Sequence, residues 1–204
     1  MQKRNQQEMM KFPCTAVRAI AMVAAMLLAL PVMAALQDRD LEGNGEADAF
    51  YDTDLDITWL RDANLNGPMQ WEQAVTWADG FSFAGYSDWR LPTSDSCIGF
   101  DCTGSEMGHL WYVELGNVAP GPMTNTGGFQ NLQAWPYFSG TEVDADYAYI
   151  FHTETGFQTG GGRSQFYFAF AVRDGDVPAI PEPQTYALLL LGLTALAVKR
   201  RRPH

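Results

Sequence analysis

The chain of 204 residues carries an apolar run beside basic residues at each end, and this arrangement leaves one central segment to fold. Near the N-terminus, four basic residues precede an apolar run over 19–30, which is followed by Pro31 and by small residues up to Ala34. This layout is typical of a secretion signal peptide. Since the run is shorter than the roughly 20 apolar residues that span a bilayer, we expect a signal helix over 1–34 that signal peptidase removes after Ala34. An uncleaved anchor is the alternative.

The C-terminal segment over 178–204 combines three features in a fixed order. Pro181, Glu182 and Pro183 come first, a continuous apolar run from Tyr186 to Val198 follows, and Lys199, Arg200, Arg201 and Arg202 come next. The basic residues resist translocation, so we expect them to stay cytoplasmic while the body faces outward. The segment resembles a PEP-CTERM sorting signal, which implies an exosortase as processing enzyme and a hydrophobic helix that anchors the chain transiently in the inner membrane. A plain tail anchor is the alternative.

The central segment is strongly acidic. Residues 35–198 contain five arginines, no lysine and 23 acidic residues, a net charge of about −18. Such a body repels nucleic acid and sulfated polysaccharides, whereas neutral or calcium-bridged polysaccharides remain compatible with it. The first part of this segment, 35–47, is predicted to be an acidic linker.

Patterning predicts an α+β domain with long irregular loops. FYDTDLDITWL from Phe50 favours one or two strands with a turn at Asp54, and PMQWEQAVTWADGF favours a helix that ends near Gly80. A short helix is expected over 106–115. Three late segments, WPYFSGTEV, DYAYIFHT and SQFYFAFAVRDG, are predicted strands, and the glycines over 159–162 are interpreted as a loop between strands.

The string W-R-L-P-T spans Trp89, Arg90, Leu91, Pro92 and Thr93. With TWLRDANLNG, WEQAVTWADGF and FAVRDGDV, it resembles the Lcl C-terminal domain family over 48–177. The motif is also similar to sulfatase-modifying and C-type-lectin-like domains, which implies a C-type-lectin-like fold. Arg90 is expected to form a buried ion pair or to clamp backbone carbonyls, and most of the six tryptophans are expected in the core.

Cys97 and Cys102 are the two cysteines that remain after the signal peptide is removed. A disulfide between them is the leading interpretation for an exported chain. The alternative follows from the sulfatase-modifying resemblance, because formylglycine-generating enzymes use a cysteine pair of similar spacing. That pair lies late in their domain, whereas here it directly follows the W-R-L-P-T motif.

Two acidic runs offer oxygen ligands for calcium. The candidate ligands are Asp38, Asp40 and Glu42 in the first run and Asp62, Asn64 and Asn66 in the second. Neither run completes a calcium loop, so a solvated linker and an Asx-rich turn are the alternative interpretation. His109 and His152 are isolated in the sequence, and we expect no enzyme and no resident cofactor other than calcium.

These features together predict an exported, exosortase-processed, lectin-like binding module at the cell surface or in the exopolysaccharide of a biofilm. The placement in exopolysaccharide and biofilm is what the sorting-signal resemblance implies. The alternatives are a structural matrix protein without a specific ligand and an enzyme of the formylglycine-generating type.

Overall fold

The computed structural model describes residues 36–177, together with Leu191 and Leu193. The chain divides into two units, Met1–Ala34 and Ala35–His204, and all described residues belong to the second. The predicted signal peptide and the sorting residues at 181–183 and 199–202 lie outside the described residues, as does the predicted hydrophobic helix apart from the two leucines. Among the described residues, no helix is long and apolar enough to cross a bilayer.

Four short strands form the first antiparallel sheet. They are β1 (Leu36–Arg39), β2 (Ala49–Asp52), β3 (Ile57–Leu60) and β7 (Val172–Asp174), and they are arranged in the order β1-β2-β3-β7. β2 and β3 confirm the strand pair predicted for FYDTDLDITWL, with the turn over 53–56. All four residues of β3 are buried, as its β-branched and aromatic composition favours.

β1 corrects the prediction that 35–47 is a linker. Its residues pair with β2 from Leu36 opposite Asp52 to Arg39 opposite Ala49. Arg39 is 8% exposed and forms an ion pair with Asp176 at 2.6 Å, so its charge is compensated within the fold. Edge strands commonly carry charged side chains that discourage further pairing, and the acidic composition therefore hid this strand. Residues 40–47 form the connection to β2.

Three strands form the second antiparallel sheet. They are β4 (Pro136–Glu142), β5 (Tyr147–His152) and β6 (Phe157–Gly162), arranged in the order β4-β5-β6. β4 and β5 confirm the strands predicted for WPYFSGTEV and DYAYIFHT. The loop predicted over 159–162 is wrong, because these residues pair with β5 as the second half of β6. The third predicted strand, SQFYFAFAVRDG, forms a regular strand only at β7, although Tyr167 and Phe168 make isolated bridges to Met69 and Tyr137.

Two short helices confirm the helical predictions. Helix α1 (Trp71–Gly80) begins with a capping box in which Gln70 and Gln73 satisfy each other's backbone N–H groups, and it buries Trp71, Ala74 and Ala78. Helix α2 (Glu106–His109) continues directly into a π-helical turn (Leu110–Glu114). The domain is therefore mixed α+β, as predicted, with long irregular segments over 81–105 and 115–135.

The largest buried cluster is aromatic and joins both sheets to the helical segment. Its members include Trp59 of β3, Trp111 of the π-helical turn, Tyr137 of β4 and Phe170 near β7. Four of the six tryptophans are buried, Trp77 is half-buried, and Trp135 is 55% exposed. The expectation of mostly buried tryptophans is confirmed, and Trp135 is the departure from it.

Candidate functional site

The W-R-L-P-T motif lies inside the framework of the domain. Trp89 and Leu91 are buried, at 2% and 4% exposure, and the backbone N–H and C=O of Arg90 exchange hydrogen bonds with Val172 of β7. The carbonyl of Pro92 accepts from the N–H of Gly140 in β4. The motif therefore ties the two sheets together and presents little side-chain surface to a ligand.

Arg90 forms a partly buried ion pair and also bonds one backbone carbonyl, while its own side chain is 27% exposed. Its guanidinium donates to both carboxylate oxygens of Glu106 at 2.8 Å, to Asp174 at 2.5 Å and to the carbonyl of Leu91. The hydrogen bond to Glu106 is the main reason that the pKa of Arg90 is raised above its ordinary value, and Asp174 adds to this effect. Thr93 also donates its N–H to Glu106. This network links the W-R-L-P-T segment to α2 and to β7, which is a structural role.

Cys97 and Cys102 form a disulfide in the structure. The loop that it closes lies against β6, where Gly99 and Gln158 exchange backbone hydrogen bonds at 2.9 and 2.8 Å. The side chain of Gln158 is 1% exposed and donates to the carbonyl of Cys97. The loop thus covers the outer edge of β6, a position at which an unpaired edge would otherwise be exposed.

The predicted calcium ligands lie in two separate regions, since Asp38 belongs to β1, Asp40 and Glu42 to the turn after it, and Asp62, Asn64 and Asn66 to a second turn. Asp40 accepts the backbone N–H groups of residues 43–45, and the bond from Gly45 is the largest cause of its lowered pKa. In the second turn, Asp62 accepts from Asn64 and Asn64 accepts from Gly67. Asp38, Glu42 and Asn66 are exposed. These turns match the Asx-turn interpretation, and calcium binding stays a prediction.

A groove on the surface of the domain is lined by aromatic and uncharged residues. It has a volume of about 370 Å³ and is lined by Pro68, Gln133, Ala134, Trp135, Phe166 and Phe168. Trp135 and Phe166 are 55% and 59% exposed. We call this feature the aromatic groove. Large aromatic side chains that remain this accessible on a folded domain are typical of binding surfaces.

Hydrogen bonds that centre on the buried Thr153 hold one wall of the aromatic groove. The N–H of Trp135 donates to the hydroxyl of Thr153 at 3.0 Å, and that hydroxyl lies 2.5 Å from the carbonyl of Gln133. Thr153 is 1% exposed, and its own carbonyl accepts from the indole of Trp111 at 2.8 Å. The N–H of Gln133 donates to the hydroxyl of Tyr137. The backbone beneath Trp135 is therefore fixed before any ligand arrives.

The opposite wall is held by a strand-like segment. Tyr167 exchanges two backbone hydrogen bonds with Met69, at 2.8 and 3.1 Å, and Phe168 exchanges two with residues 136 and 138 of β4. The ring of Phe168 packs on the ring of Tyr137 at 5.4 Å between centroids. Phe166 directly precedes Tyr167 and Phe168, and its side chain lines the groove.

Family comparison agrees with this framework. The model of the Lcl C-terminal domain matches residues 48–173, more than half of the chain. The chain belongs to this family. The Lcl C-terminal domain is followed by a match to the PEP-CTERM protein-sorting motif over 179–202, which implies export and processing by an exosortase. None of the curated proteins matches the chain.

Sequence reasoning identified the framework of the Lcl C-terminal domain better than its surface. It assigned the tryptophans to the core as a group and so did not single out Trp135, and it read Phe166 as part of a regular strand. One signal was available: in FYFAF, aromatic residues occupy consecutive positions 166–168. Because neighbouring side chains of an extended segment point to opposite faces, one face of such a run is left outside the core.

Proposed function

We propose that this protein is an exported, exosortase-processed binding module whose Lcl C-terminal domain holds a neutral polysaccharide in the aromatic groove. The observation that carries the proposal is the pair Trp135 and Phe166, both more than half exposed, on or next to backbone segments that hydrogen bonds to the rest of the fold hold in place. A fixed aromatic surface loses little conformational entropy when a ligand binds.

The chemistry of the groove favours a sugar. One face of many pyranose rings carries mainly C–H groups, and such a face stacks on an indole or phenyl ring while the hydroxyl groups at its edge seek hydrogen bonds. Gln133 also lines the groove. Its Nε2 donates to the carbonyl of Asn131 at 2.7 Å, and an amide has a second N–H and an oxygen to offer a ligand. A few polar groups among apolar ones are typical of ligand sites.

The charge of the domain favours some polysaccharides over others. The residues that line the aromatic groove carry no ionisable side chain, and the acidic body surrounds them with negative potential. Sulfated or uronic-acid chains are therefore disfavoured, and a neutral glycan fits best. The C-type-lectin-like character of the domain, and its placement in the exopolysaccharide of a biofilm or at the cell surface, belong to the same proposal.

A binding role is also favoured over a formylglycine-generating activity. That chemistry needs cysteine thiols, and both Cys97 and Cys102 are engaged in the disulfide. A structural matrix protein without a ligand is the second candidate, and the aromatic groove is the feature that favours binding over it.

A glycan array tests the proposal. The purified protein is applied to neutral, uronic-acid and sulfated glycans, and we expect signals on neutral chains alone. Trp135→Ala and Phe166→Ala should each weaken binding by roughly ten-fold, as loss of a central aromatic contact does. Tyr147→Ala is the matched control, because Tyr147 is 49% exposed and lies at a different cavity. If no glycan gives a signal, the structural matrix protein without a ligand is favoured. If all variants bind equally well, the aromatic groove is not the glycan-binding site.

A further inference from the structure

The carboxylate of Asp52 is buried with half of its hydrogen-bonding capacity unused. Asp52 ends β2 and is 0% exposed. Its Oδ1 accepts the backbone N–H groups of Asp54 and Leu55 at 3.0 and 3.1 Å, which shapes the turn into β3. Its Oδ2 is also buried and has no hydrogen-bond partner among the described residues. A buried carboxylate oxygen without a partner is costly, so a cation or donor bound at this atom would be stabilising.

Two further side chains from the helical segment face the same point. The Nε2 of His109, at the end of α2, lies 3.3 Å from Oε1 of Glu114 and 3.9 Å from Oδ2 of Asp54. Asp52, His109 and Glu114 each offer one ligand atom, and the three atoms lie within 4.8 Å of one another. The side chains of His109 and Glu114 are 14% and 4% exposed. Residues far apart in sequence therefore converge on one shielded position.

The charge at this position is not balanced by a permanent cation. Within residues 36–177, the five arginines make their hydrogen bonds elsewhere in the fold. Burial, followed by the nearby charge of Asp52, raises the pKa of Glu114, while His109 acts in the opposite direction. Three carboxylates thus surround one imidazole, and a bound cation would relieve their mutual repulsion.

We propose that Asp52, His109 and Glu114 form a binding site for a divalent transition-metal ion of the zinc type. An imidazole nitrogen with carboxylate oxygens is a ligand set that suits such ions, whereas calcium and magnesium prefer oxygen alone. Two ligands on a tetrahedral zinc ion with bonds of about 2.0–2.1 Å lie roughly 3.3–3.4 Å apart, close to the separation of Nε2 and Oε1. Asp54, 53% exposed, lies beside these three residues, with its Oδ2 3.9 Å from Nε2 of His109.

The site would connect two parts of the domain. Asp52 and Asp54 belong to the β2–β3 hairpin of the first sheet, and His109 and Glu114 belong to the helical segment that packs against this sheet. An ion held by both would stabilise the folded state by mass action, because the ligands are brought together only when the domain is folded. The site is separate from the aromatic groove, so the two proposals stand or fall independently.

The test uses the full chain after treatment with a chelator. Zinc is titrated by calorimetry, the metal content is measured by mass spectrometry, and cobalt is added as a spectroscopic probe of nitrogen and oxygen ligands. We expect one equivalent of zinc per chain and a rise of several degrees in the melting temperature. His109→Gln and Glu114→Gln should each weaken zinc binding at least ten-fold, as loss of a ligand does. Both variants keep a hydrogen-bonding side chain, so they should still fold.

His152→Gln is the matched control. His152 also contacts a carboxylate, with its Nδ1 2.7 Å from Oε1 of Glu154, but it lies outside the cluster, so zinc binding should be unchanged. Folded wild-type protein that neither binds zinc nor gains thermal stability would overturn the proposal, as would full affinity in folded His109→Gln. A response to calcium alone, abolished by Asp40→Asn, would overturn it in favour of the predicted calcium turn.

Discussion

At the scale of single residues, Arg90 connects three segments that are distant in sequence. It joins its own W-R-L-P-T segment to Glu106 at the start of α2 and to Asp174 in β7. The side chain of Glu106 is 13% exposed, whereas that of Asp174 is 79% exposed. The bond to Glu106 is therefore the stronger contribution, because exposed ion pairs contribute little.

Replacing Arg90 tests this network. We expect Arg90→Met to lower the free energy of unfolding by about 2–4 kcal/mol, because it leaves a largely buried carboxylate unpaired. Urea denaturation measures the change. The double variant Arg90→Met with Glu106→Gln should recover part of the loss, since it removes the unpaired charge as well. A double variant as unstable as the sum of the two single variants would show that the two side chains do not interact.

At the scale of secondary-structure elements, β6 shows why the glycines over 159–162 wrongly indicated a loop. A Cβ atom on Gly161 would come within 2.7 and 2.8 Å of Ile150 and within 2.8 Å of Tyr167. A larger residue cannot occupy this position without movement of its neighbours, so glycine is required there for close packing. Composition indicated a loop, but the reason for the glycine is tertiary.

Matched alanine substitutions in β6 test this explanation. Gly161→Ala should destabilise the domain by about 1–3 kcal/mol, as overpacking of a core does. Gly160→Ala is the control, because its Cβ would meet Val143 and Tyr147 at ordinary distances of 3.6 and 3.9 Å. That change should be neutral or slightly stabilising, since glycine weakens a strand. Thermal unfolding of the two variants measures both effects, and equal melting temperatures would show that β6 tolerates a side chain at 161.

The elements that could be predicted from the sequence are those that depend on local features. α1 was predictable because its apolar spacing and its ending at Gly80 are local features, and the β2–β3 pair was predictable for the same reason. β1 and β6 depend on pairing with other strands, which local composition does not reveal. The Asp52–His109 contact was beyond prediction, since 57 positions separate the two residues.

At the scale of the whole molecule, charge opposes folding. Arg39, Arg90, Arg163 and Arg173 form ion pairs with carboxylates, yet 23 acidic residues face only five arginines between 35 and 198. Most carboxylates therefore repel one another across the surface, and the compact state brings them closer than the unfolded chain does.

Salt should therefore stabilise the protein. Between about 0.01 and 0.3 M NaCl, the Debye screening length shortens from roughly 30 Å to less than 10 Å. We therefore expect the melting temperature to rise by roughly 2–4 °C, which is the change that about 1 kcal/mol produces in a domain of this size. Choline chloride in the presence of a chelator should give the same rise, which separates screening from cation binding. A melting temperature that falls with salt would mean that the arginine ion pairs dominate over repulsion.

The folded domain ends only a few residues before the sorting motif, and this limits how an enzyme can approach the motif. Past β7, Val177 is 1% exposed, and Asp176 forms an ion pair with Arg39 of β1. Only three residues separate Val177 from Pro181, a tether of at most about 14 Å when fully extended. We therefore expect an exosortase that reads Pro-Glu-Pro to work close to the folded body, near the surface around Val177.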